Sequence, residues 1–330
     1  MQGPLLFFEL SGEQPGLARQ EVLSLARTYS PSSEEIAHGP GYCCIRLEED
    51  AIPHIAARVA LSHRIGRLLG WADDLDSLDP SLLPMGTFSV RAKRYDRAQP
   101  KLDSPLLCRT LGGILAPGRK VDLNNPEIEV RAFISDRVAV HHSLYRIDRR
   151  SMEERKVAER PFFSPISLHP RYARALINMM ELKEGQTLLD PFCGTGGIAM
   201  EAASMGLSAL ASDIDPEMVA GTERNMRHFG WELSGSAVSD IADISDHFPV
   251  VDAIVTDPPY GRSASSRGEP VRLLHARALE VARDCLRPGG LMGMVLPEPI
   301  EPIEGMELEH LFEQRVHGSL SRHYHVFRRQ

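Results

Sequence analysis

The sequence predicts an α/β fold in its C-terminal half, and two observations carry that prediction. From residue 187 onward, short apolar runs alternate with longer amphipathic stretches, which is typical of a mostly parallel sheet covered by helices. The first of these runs, TLLDPFCGTGGIAME at 187–201, has the form of a strand, a glycine-rich turn and a helix, as in a nucleotide-binding βα unit. Glycine lets backbone N–H groups approach a ligand where such a helix begins.

At 330 residues the chain is long enough for about two domains, and residues 1–75 are predicted to form a small α+β module. Alternating apolar residues indicate strands, and apolar residues at helical spacing indicate helices. The expected strands are 4–10, 41–47 and 64–71, and the expected helices are 14–29 and 51–62. Residues 75–86, which contain two prolines, are predicted to be a connection.

Residues 76–146 are predicted to form a second module. The run FSVRAKR at 88–94 alternates apolar with basic residues, so a strand there places Arg91 and Lys93 on one face. A helix is expected at 104–116, followed by two strands with turn residues between them.

Residues 147–166 are charged and lack an apolar period, so they are predicted to be a linker. The last domain, residues 167–330, is expected to open with a helix at 167–182. Its later strands are expected at 208–212, 235–240, 251–257 and 289–297, and its later helices at 215–230 and 270–286. Two strands around Gly318 are predicted to close the chain as a β-hairpin.

Charge and cysteine content narrow the class of protein. Residues 81–175 hold 18 Lys and Arg against 10 Asp and Glu, although the whole chain has a net charge of −8. This asymmetry leaves two interpretations open, a nucleic-acid partner or a solvated face. The five cysteines are scattered without a CxxC pair, which favours reduced thiols in a cytoplasmic protein and argues against a disulfide framework or a metal site. We expect neither a signal peptide nor a membrane span.

Four carboxylates stand where predicted strands end, namely Asp190, Asp213, Asp240 and Asp257. Ligands of open α/β sheets bind outside these strand ends, so the four are candidate site residues. Asp213 comes 23 positions after Asp190, about where a carboxylate bonds ribose hydroxyls. It could instead cap the next helix, although Asp215 is better placed for that.

The run VTDPPYG at 255–261 gives the most specific signal. DPFCGTGG, SDID and DPPYG together resemble the class I S-adenosylmethionine-dependent methyltransferases, and within them the amino-group methyltransferases of nucleic acids. An exocyclic amine on a base is a poor nucleophile. Asp257 can accept a hydrogen bond from one N–H and the Pro258 carbonyl from the other, which aims the nitrogen at the sulfonium methyl. Tyr260 can stack on the base. The resemblance implies a Rossmann-like sheet, and a closing β-hairpin fits that class.

The middle of the chain resembles the THUMP domain, an RNA-binding module. The residues that carry the likeness are FSVRAKR at 88–94, LGGIL at 111–115 and KVDLNNPEIEVRAFI at 120–134. In that family the domain holds tRNA, which would explain the basic segment. The RNA-binding residues implied are Arg91, Lys93, Arg94 and Lys120.

Across its whole length the sequence is similar to the archaeal tRNA (guanine-10-N2)-methyltransferase family. The resemblance implies methylation of the 2-amino group of a guanosine in tRNA, once or twice, with S-adenosyl-L-methionine as cofactor. The catalytic residues implied are Asp257, Pro258, Pro259 and Tyr260. The cofactor-binding residues implied are His169, Asp190, Phe192, Gly194, Thr195, Gly196, Asp213, Ile214, Asp240 and Ile241. His169 could equally well only start a helix, and HGSLSR, with His317, Ser319 and Arg322, could be only a turn.

Three alternatives stay open at this point. The same parts could serve a guanosine elsewhere in tRNA or rRNA. The DPPY tetrapeptide also serves adenine-N6 methylation of nucleic acids, although the usual target recognition domain is not evident. A non-enzymatic RNA chaperone is the third, and the intact DPPY disfavours it.

Overall fold

The computed structural model describes residues 3–164, 167–259, 271–317 and 320–330. The chain divides into two compact units, Met1–Ile147 and Asp148–Gln330. The described residues form an eight-stranded sheet in the first unit and a seven-stranded sheet in the second.

The first unit joins the two segments that were expected to be separate modules. Its strands are β1 (Leu5–Leu10), β2 (Glu34–Gly39), β3 (Tyr42–Arg46), β4 (Ser62–Trp71), β5 (Thr87–Arg94), β6 (Lys120–Val121), β7 (Ile128–Ile134) and β8 (Val138–Arg146). Its helices are α1 (Pro15–Tyr29), α2 (Ala51–Arg58) and α3 (Ser104–Leu115). The strand order is β2-β3-β1-β4-β8-β7-β5-β6. Because β4 pairs antiparallel with β8, the boundary expected at residue 75 does not divide the fold.

The basic strand β5 lies as the alternation of its residues predicts. One face packs against α3, where Phe88, Leu111 and Val130 are buried in one cluster. Arg91 and Lys93 point to the other face and are exposed. The strand β5 pairs parallel with both β6 and β7.

A turn that begins at Asp122 separates β6 from β7. The Asp122 carboxylate accepts hydrogen bonds from the backbone N–H groups of Asn124 and Asn125 at 2.9 and 3.0 Å. A side chain that bonds the backbone two or three residues on stabilises a turn against a strand.

The second unit has the parallel sheet and closing hairpin that the sequence predicted. Its strands are β9 (Thr187–Asp190), β10 (Ser208–Asp213), β11 (Gly235–Val238), β12 (Val251–Thr256), β13 (Leu286–Leu296), β14 (Met306–His317) and β15 (Leu320–Arg329). Its helices are α4 (Arg150–Glu153), α5 (Pro170–Asn178), α6 (Gly197–Ser204), α7 (Pro216–His228), α8 (Ile244–His247) and α9 (Val271–Cys285). The strand order is β11-β10-β9-β12-β13-β15-β14.

This order confirms the predicted Rossmann-like class. Strands β9 to β13 run parallel to one another, whereas β15 is antiparallel to both β13 and β14. The order reverses at β9, which has β10 on one side and β12 on the other. A ligand of such a sheet binds at this reversal, beyond the C-terminal ends of the central strands.

The segment at 147–166, predicted to be a linker, contains the short helix α4 and packs against residues of the second unit. The Arg155 guanidinium is buried against the Glu201 carboxylate, with Nε–Oε1 and Nη2–Oε2 distances of 2.7 and 3.0 Å. The Phe162 N–H and carbonyl both bond the Asn225 side chain. The described part of this segment is therefore built into the second unit.

Three sequence expectations concern the cysteines, membrane spans and metal sites. All five cysteines are free thiols. In the part of the chain that the structure describes, no helix has the length and apolar character required to cross a bilayer. Over those same residues, no group of three or more His, Cys, Asp or Glu side chains could hold a metal ion.

Candidate active site

The site begins with the glycine turn between β9 and α6. Gly194 and Gly196 have φ angles of 50° and 78°, in the left-handed region that favours glycine. A Cβ on Gly196 would lie 2.7 Å from Thr222 Cγ2, so that position is also closed by packing. A Cβ on Gly194 would meet nothing within 4 Å, so the space above this turn is open. The geometry leaves room for a ligand beside the first N–H groups of α6.

Asp190 ends β9 and is almost completely buried, with 1% of its surface exposed. Its Oδ1 accepts hydrogen bonds from the Thr256 hydroxyl at 2.8 Å and from the Phe192 N–H at 3.3 Å. The pKa of Asp190 is raised to about 7, mainly by burial and also by the neighbouring charges of Asp213 and Asp257, although the hydrogen bonds from Thr256 and Phe192 lower it. Carboxylates that repel one another at strand ends are typical of a ligand site.

Asp213 joins the two turns at the strand ends. Its Oδ2 accepts from the Gly194 N–H and its Oδ1 from the Asp215 N–H, both at 3.0 Å. Burial raises the pKa of Asp213. Asp215, as expected, caps α7 by accepting from the Glu217 N–H at 2.9 Å. Asp213 is therefore not the cap of α7, and its carboxylate lies against the glycine turn.

Asp240 follows β11 and already has partners within the chain. Its Oδ1 accepts from the Ala242 N–H at 2.9 Å and lies 3.4 Å from Arg277 Nη1. Ile241 is buried in the apolar core, and Phe192 packs partly buried against the same core.

The other cofactor candidates lie in these same turns or at the start of α5. Ile214 is half-buried in the turn after β10, and Thr195 is buried within the glycine turn. His169 caps α5, where its Nδ1 accepts from the Arg171 N–H at 3.3 Å. Its Nε2 lies 3.3 Å from Glu153 Oε1. His169 thus starts a helix, as one of the two sequence interpretations had it.

The second half of the site follows β12, which is the neighbour of β9 in the sheet. Asp257 is half-buried directly after Thr256, and Pro258 and Pro259 continue the chain. The Pro259 carbonyl oxygen lies 3.4 Å from Nε2 of His275, a buried residue of α9. Tyr260, Ser319 and the His317 side chain lie outside the described residues. Arg322, the remaining residue of the C-terminal signature, places Nη2 3.4 Å from the Ser167 carbonyl oxygen.

Sequence analysis missed three residues that contact this site. Thr256 bonds Asp190, His275 contacts Pro259, and Arg160 donates from Nη1 to the Thr195 hydroxyl at 2.9 Å. His275 had one available signal, because it stands between the apolar neighbours of a helix face that is otherwise buried. Arg160 and Thr256 had none.

The four basic candidates in the first unit do not have equivalent surroundings. Lys93 and Lys120 are exposed, and exposed Arg91 donates to the Leu123 carbonyl. Arg94 donates to the carbonyls of Gln99 and Leu102 at 2.7 and 2.9 Å. Arg94 therefore stabilises the loop after β5 and differs from the surface residue that was expected.

Comparison with known proteins identifies relatives over the full length. Residues 158–323 match the family described as UPF0020, RMKL-like, methyltransferase domain. The chain is 35% identical to the tRNA (guanine(10)-N2)-dimethyltransferase of Methanothermobacter thermautotrophicus, over 97% of this chain and 98% of that one. It is 31% identical to the enzyme of the same name from Pyrococcus abyssi, over 98% and 99% of the two chains.

A solved structure shares the fold. The crystal structure of TrmN from Thermus thermophilus matches 99% of this chain and 100% of that chain, with a TM-score of 0.54 and 24% identity. The likeness in structure shows the fold, and the likeness in sequence shows the family. The chain belongs to the family of the archaeal tRNA (guanine(10)-N2)-dimethyltransferases.

Proposed function

We propose that this protein transfers a methyl group from S-adenosyl-L-methionine to the exocyclic N2 amine of a guanosine in tRNA, at position 10. One observation of the structure carries the proposal. The Asp-Pro-Pro segment after β12 and the glycine turn after β9 follow adjacent strands, and their carboxylates are close enough for Asp257 to raise the pKa of Asp190. The names of two relatives that match nearly the whole chain support the target position.

The turns at the strand ends fit the cofactor. Open space lies over Gly194, and the Asp213 carboxylate beside it keeps lone pairs for ribose hydroxyls. Asp190 lies buried at the base of this turn, and the first N–H groups of α6 offer the positive ends of peptide dipoles. Asp240 and Ile241 follow β11, where an adenine ring would be contacted. When bound, the cofactor supplies an electrophilic methyl group on a sulfonium.

Asp257 and Pro258 hold the amine in this proposal. The guanine N2 lone pair is delocalised into the ring, so the reaction depends on placing the nitrogen in line with the methyl carbon. The Asp257 carboxylate accepts a hydrogen bond from one N–H of the guanine 2-amino group, and the Pro258 carbonyl accepts a hydrogen bond from the other. The same carboxylate takes the proton that the nitrogen loses on methylation. Pro259 fixes the backbone, and Tyr260 stacks on the base.

The first unit contributes the RNA surface. Lys93 and Lys120 are exposed, and Arg91 extends the same face of β5. Exposed cations of this kind bind phosphates without reading sequence. In this proposal a THUMP-like segment holds the tRNA, and the second unit carries out the methyl transfer. An enzyme that modifies tRNA and has five free thiols is expected to act in the cytoplasm.

Mass spectrometry of nucleosides tests this function directly. An unmodified tRNA transcript with guanosine at position 10 is incubated with the enzyme and S-adenosyl-L-methionine, then digested to nucleosides. We expect N2-methylguanosine, followed by N2,N2-dimethylguanosine if two transfers occur. N6-methyladenosine as the product, or unmodified nucleosides only, would contradict the proposal.

A further inference from the structure

Arg160 is a buried cation that directly contacts the glycine turn. Only 4% of its surface is exposed. Its Nε donates to the Arg155 carbonyl at 3.0 Å, and its Nη1 donates to the hydroxyls of Thr195 and Ser167 at 2.9 and 3.2 Å. Among the residues that the structure describes, Nη2 is buried and has no hydrogen-bond partner. A buried guanidinium donor without an acceptor is costly, which points to an acceptor supplied from outside the chain.

The charges around Arg160 do not neutralise it. Glu201 is the carboxylate that acts on it, but that carboxylate is already held by Arg155 at 2.7 Å and by Arg174 at 3.2 Å. The pKa of Arg160 is lowered to about 10, because burial and the nearby Arg155 lower it and Glu201 only partly offsets these effects. The guanidinium remains protonated at neutral pH, so its immediate surroundings carry an excess of positive charge.

The guanidinium also lies at the N-terminal end of α6. A Cβ built on Gly197, the first residue of that helix, would be 3.2 Å from both Nη1 and Nη2 of Arg160 and 3.3 Å from Ser167 Oγ. The guanidinium, with its unbonded Nη2, therefore lies directly against the first residue of α6. Helix dipole and guanidinium together favour an anion there.

We propose that Arg160 is a cofactor-binding residue, whose Nη2 and the first N–H groups of α6 hold the carboxylate of the methionine part of S-adenosyl-L-methionine. A carboxylate fits the planar guanidinium, and it is the anionic group of this cofactor. The inference rests on the proposed function only for the identity of the cofactor. Ser167, through its hydroxyl, orients the guanidinium from the segment that leads into α5.

The test compares two ligands that differ only in that carboxylate. Calorimetry measures the binding of S-adenosyl-L-methionine and of decarboxylated S-adenosylmethionine to the full chain without RNA. The wild type should bind the first ligand more tightly. In Arg160→Met the affinity for S-adenosyl-L-methionine should fall on the order of 10–100-fold, and the affinity for the decarboxylated ligand by less than about threefold.

Two further variants make the result specific. Arg160→Lys keeps the positive charge but not the planar pair of N–H donors, and should retain part of the preference for the carboxylated ligand. Arg174→Met removes a neighbouring buried arginine that pairs with Glu201, and should change both affinities alike. Thermal unfolding without ligand checks that each variant is folded. If Arg160→Met does not fold, the wild-type preference and the Arg160→Lys result carry the test.

Three outcomes would overturn the proposal. The first is a wild type that binds the two ligands with equal affinity. The second is an equal loss of affinity for both ligands in Arg160→Met or Arg160→Lys. The third is a loss of tRNA affinity in these variants while the preference for the carboxylated ligand is unchanged, which would assign the site to an RNA phosphate. Failure of methyl transfer to guanosine would leave these binding results unchanged, so the two proposals fail separately.

Discussion

Glu9 in the first unit and Asp190 in the second are equally buried, with 2% and 1% of their surfaces exposed, yet their pKa values move in opposite directions. Burial alone would raise the pKa of Glu9, but hydrogen bonds from His141 and Arg131 outweigh it and lower that pKa to about 2. The Arg131 Nε–Oε1 distance is 2.6 Å. The pKa of Asp190 is raised to about 7 by burial, and its charged neighbours Asp213 and Asp257 add to the rise where the neighbours of Glu9 oppose it.

The difference separates a structural charge from a functional one. In the first unit the fold itself supplies the cations that compensate a buried carboxylate. In the second unit the fold collects carboxylates at the C-terminal ends of the strands, and in the proposed function a ligand would compensate their charge. Burial is common to both carboxylates, so the sign of the neighbouring charges is what distinguishes them.

The largest effect is expected for Asp257→Ala. Loss of the carboxylate that orients the amine should lower the methyl-transfer rate on the order of 10³-fold, with tRNA and cofactor affinities within about threefold of wild type. Single-turnover transfer of labelled methyl to tRNA measures the rate. Asp246→Ala, an exposed acid of the same unit, is the control and should be unchanged. Substantial turnover in Asp257→Ala would remove this residue from catalysis.

Glu9→Gln should be the most damaging change to stability in the first unit. It leaves two buried basic side chains without their carboxylate, at a cost of about 3 kcal/mol near pH 7. Because the native pKa is depressed, the contribution of Glu9 is present above pH about 4.3 and is lost as pH falls toward 2. Urea unfolding, followed by Trp71 fluorescence in a Trp231→Phe background, measures it. A loss that is the same at pH 3 and pH 7 would contradict the pairing.

Asp190→Asn should change the pH dependence of the second unit in the opposite sense. A native pKa of about 7 means that the native state holds this proton between pH 4 and 7, where the unfolded chain has lost it. The unfolding free energy therefore falls as pH rises to 7, by up to about 3 kcal/mol between pH 5 and pH 8. Asparagine should remove this slope. Urea unfolding at a series of pH values, followed by Trp231 fluorescence in a Trp71→Phe background, measures the slope. An unchanged slope in Asp190→Asn would show that another group is responsible for it.

The smallest effect is expected on the RNA surface. Lys93→Gln should weaken tRNA binding about threefold at moderate salt and reduce the slope of log affinity against log salt by about 1. Lys183→Gln, an exposed lysine of the second unit, is the matched control. If the two variants behaved alike, the face of β5 would not be an RNA contact.

What the sequence predicted well was local. The turn after β9 needs only an apolar run, glycines with positive φ and a helix, and all are adjacent in the chain. Asp215 was recognised as the cap of α7 because the residue that caps a helix directly precedes it. The hairpin β14–β15 followed from two strand-like runs around a glycine. Each prediction used features that are continuous in the chain.

What the sequence could not show depends on distant contacts. Strand β2, EEIAHG, is an edge strand whose positions alternate between exposed and half-buried, and because none is fully buried its sequence has no clear apolar alternation. The pairing of β4 with β8 joins residues that are far apart in sequence, and the sequence of neither strand indicates which strand it pairs with. Arg160 and Arg94 stood in charged runs, and their roles became visible only through Thr195 and through the Gln99 and Leu102 carbonyls.

The most direct test of the proposed reaction replaces the acceptor amine itself. Two tRNA transcripts are compared, one with guanosine and one with inosine at position 10, since inosine lacks the exocyclic 2-amino group. Labelled methyl from S-adenosyl-L-methionine should be transferred to the first and not to the second, while both bind with similar affinity. Equal labelling of the two transcripts would show that the site acts on another atom or another nucleotide.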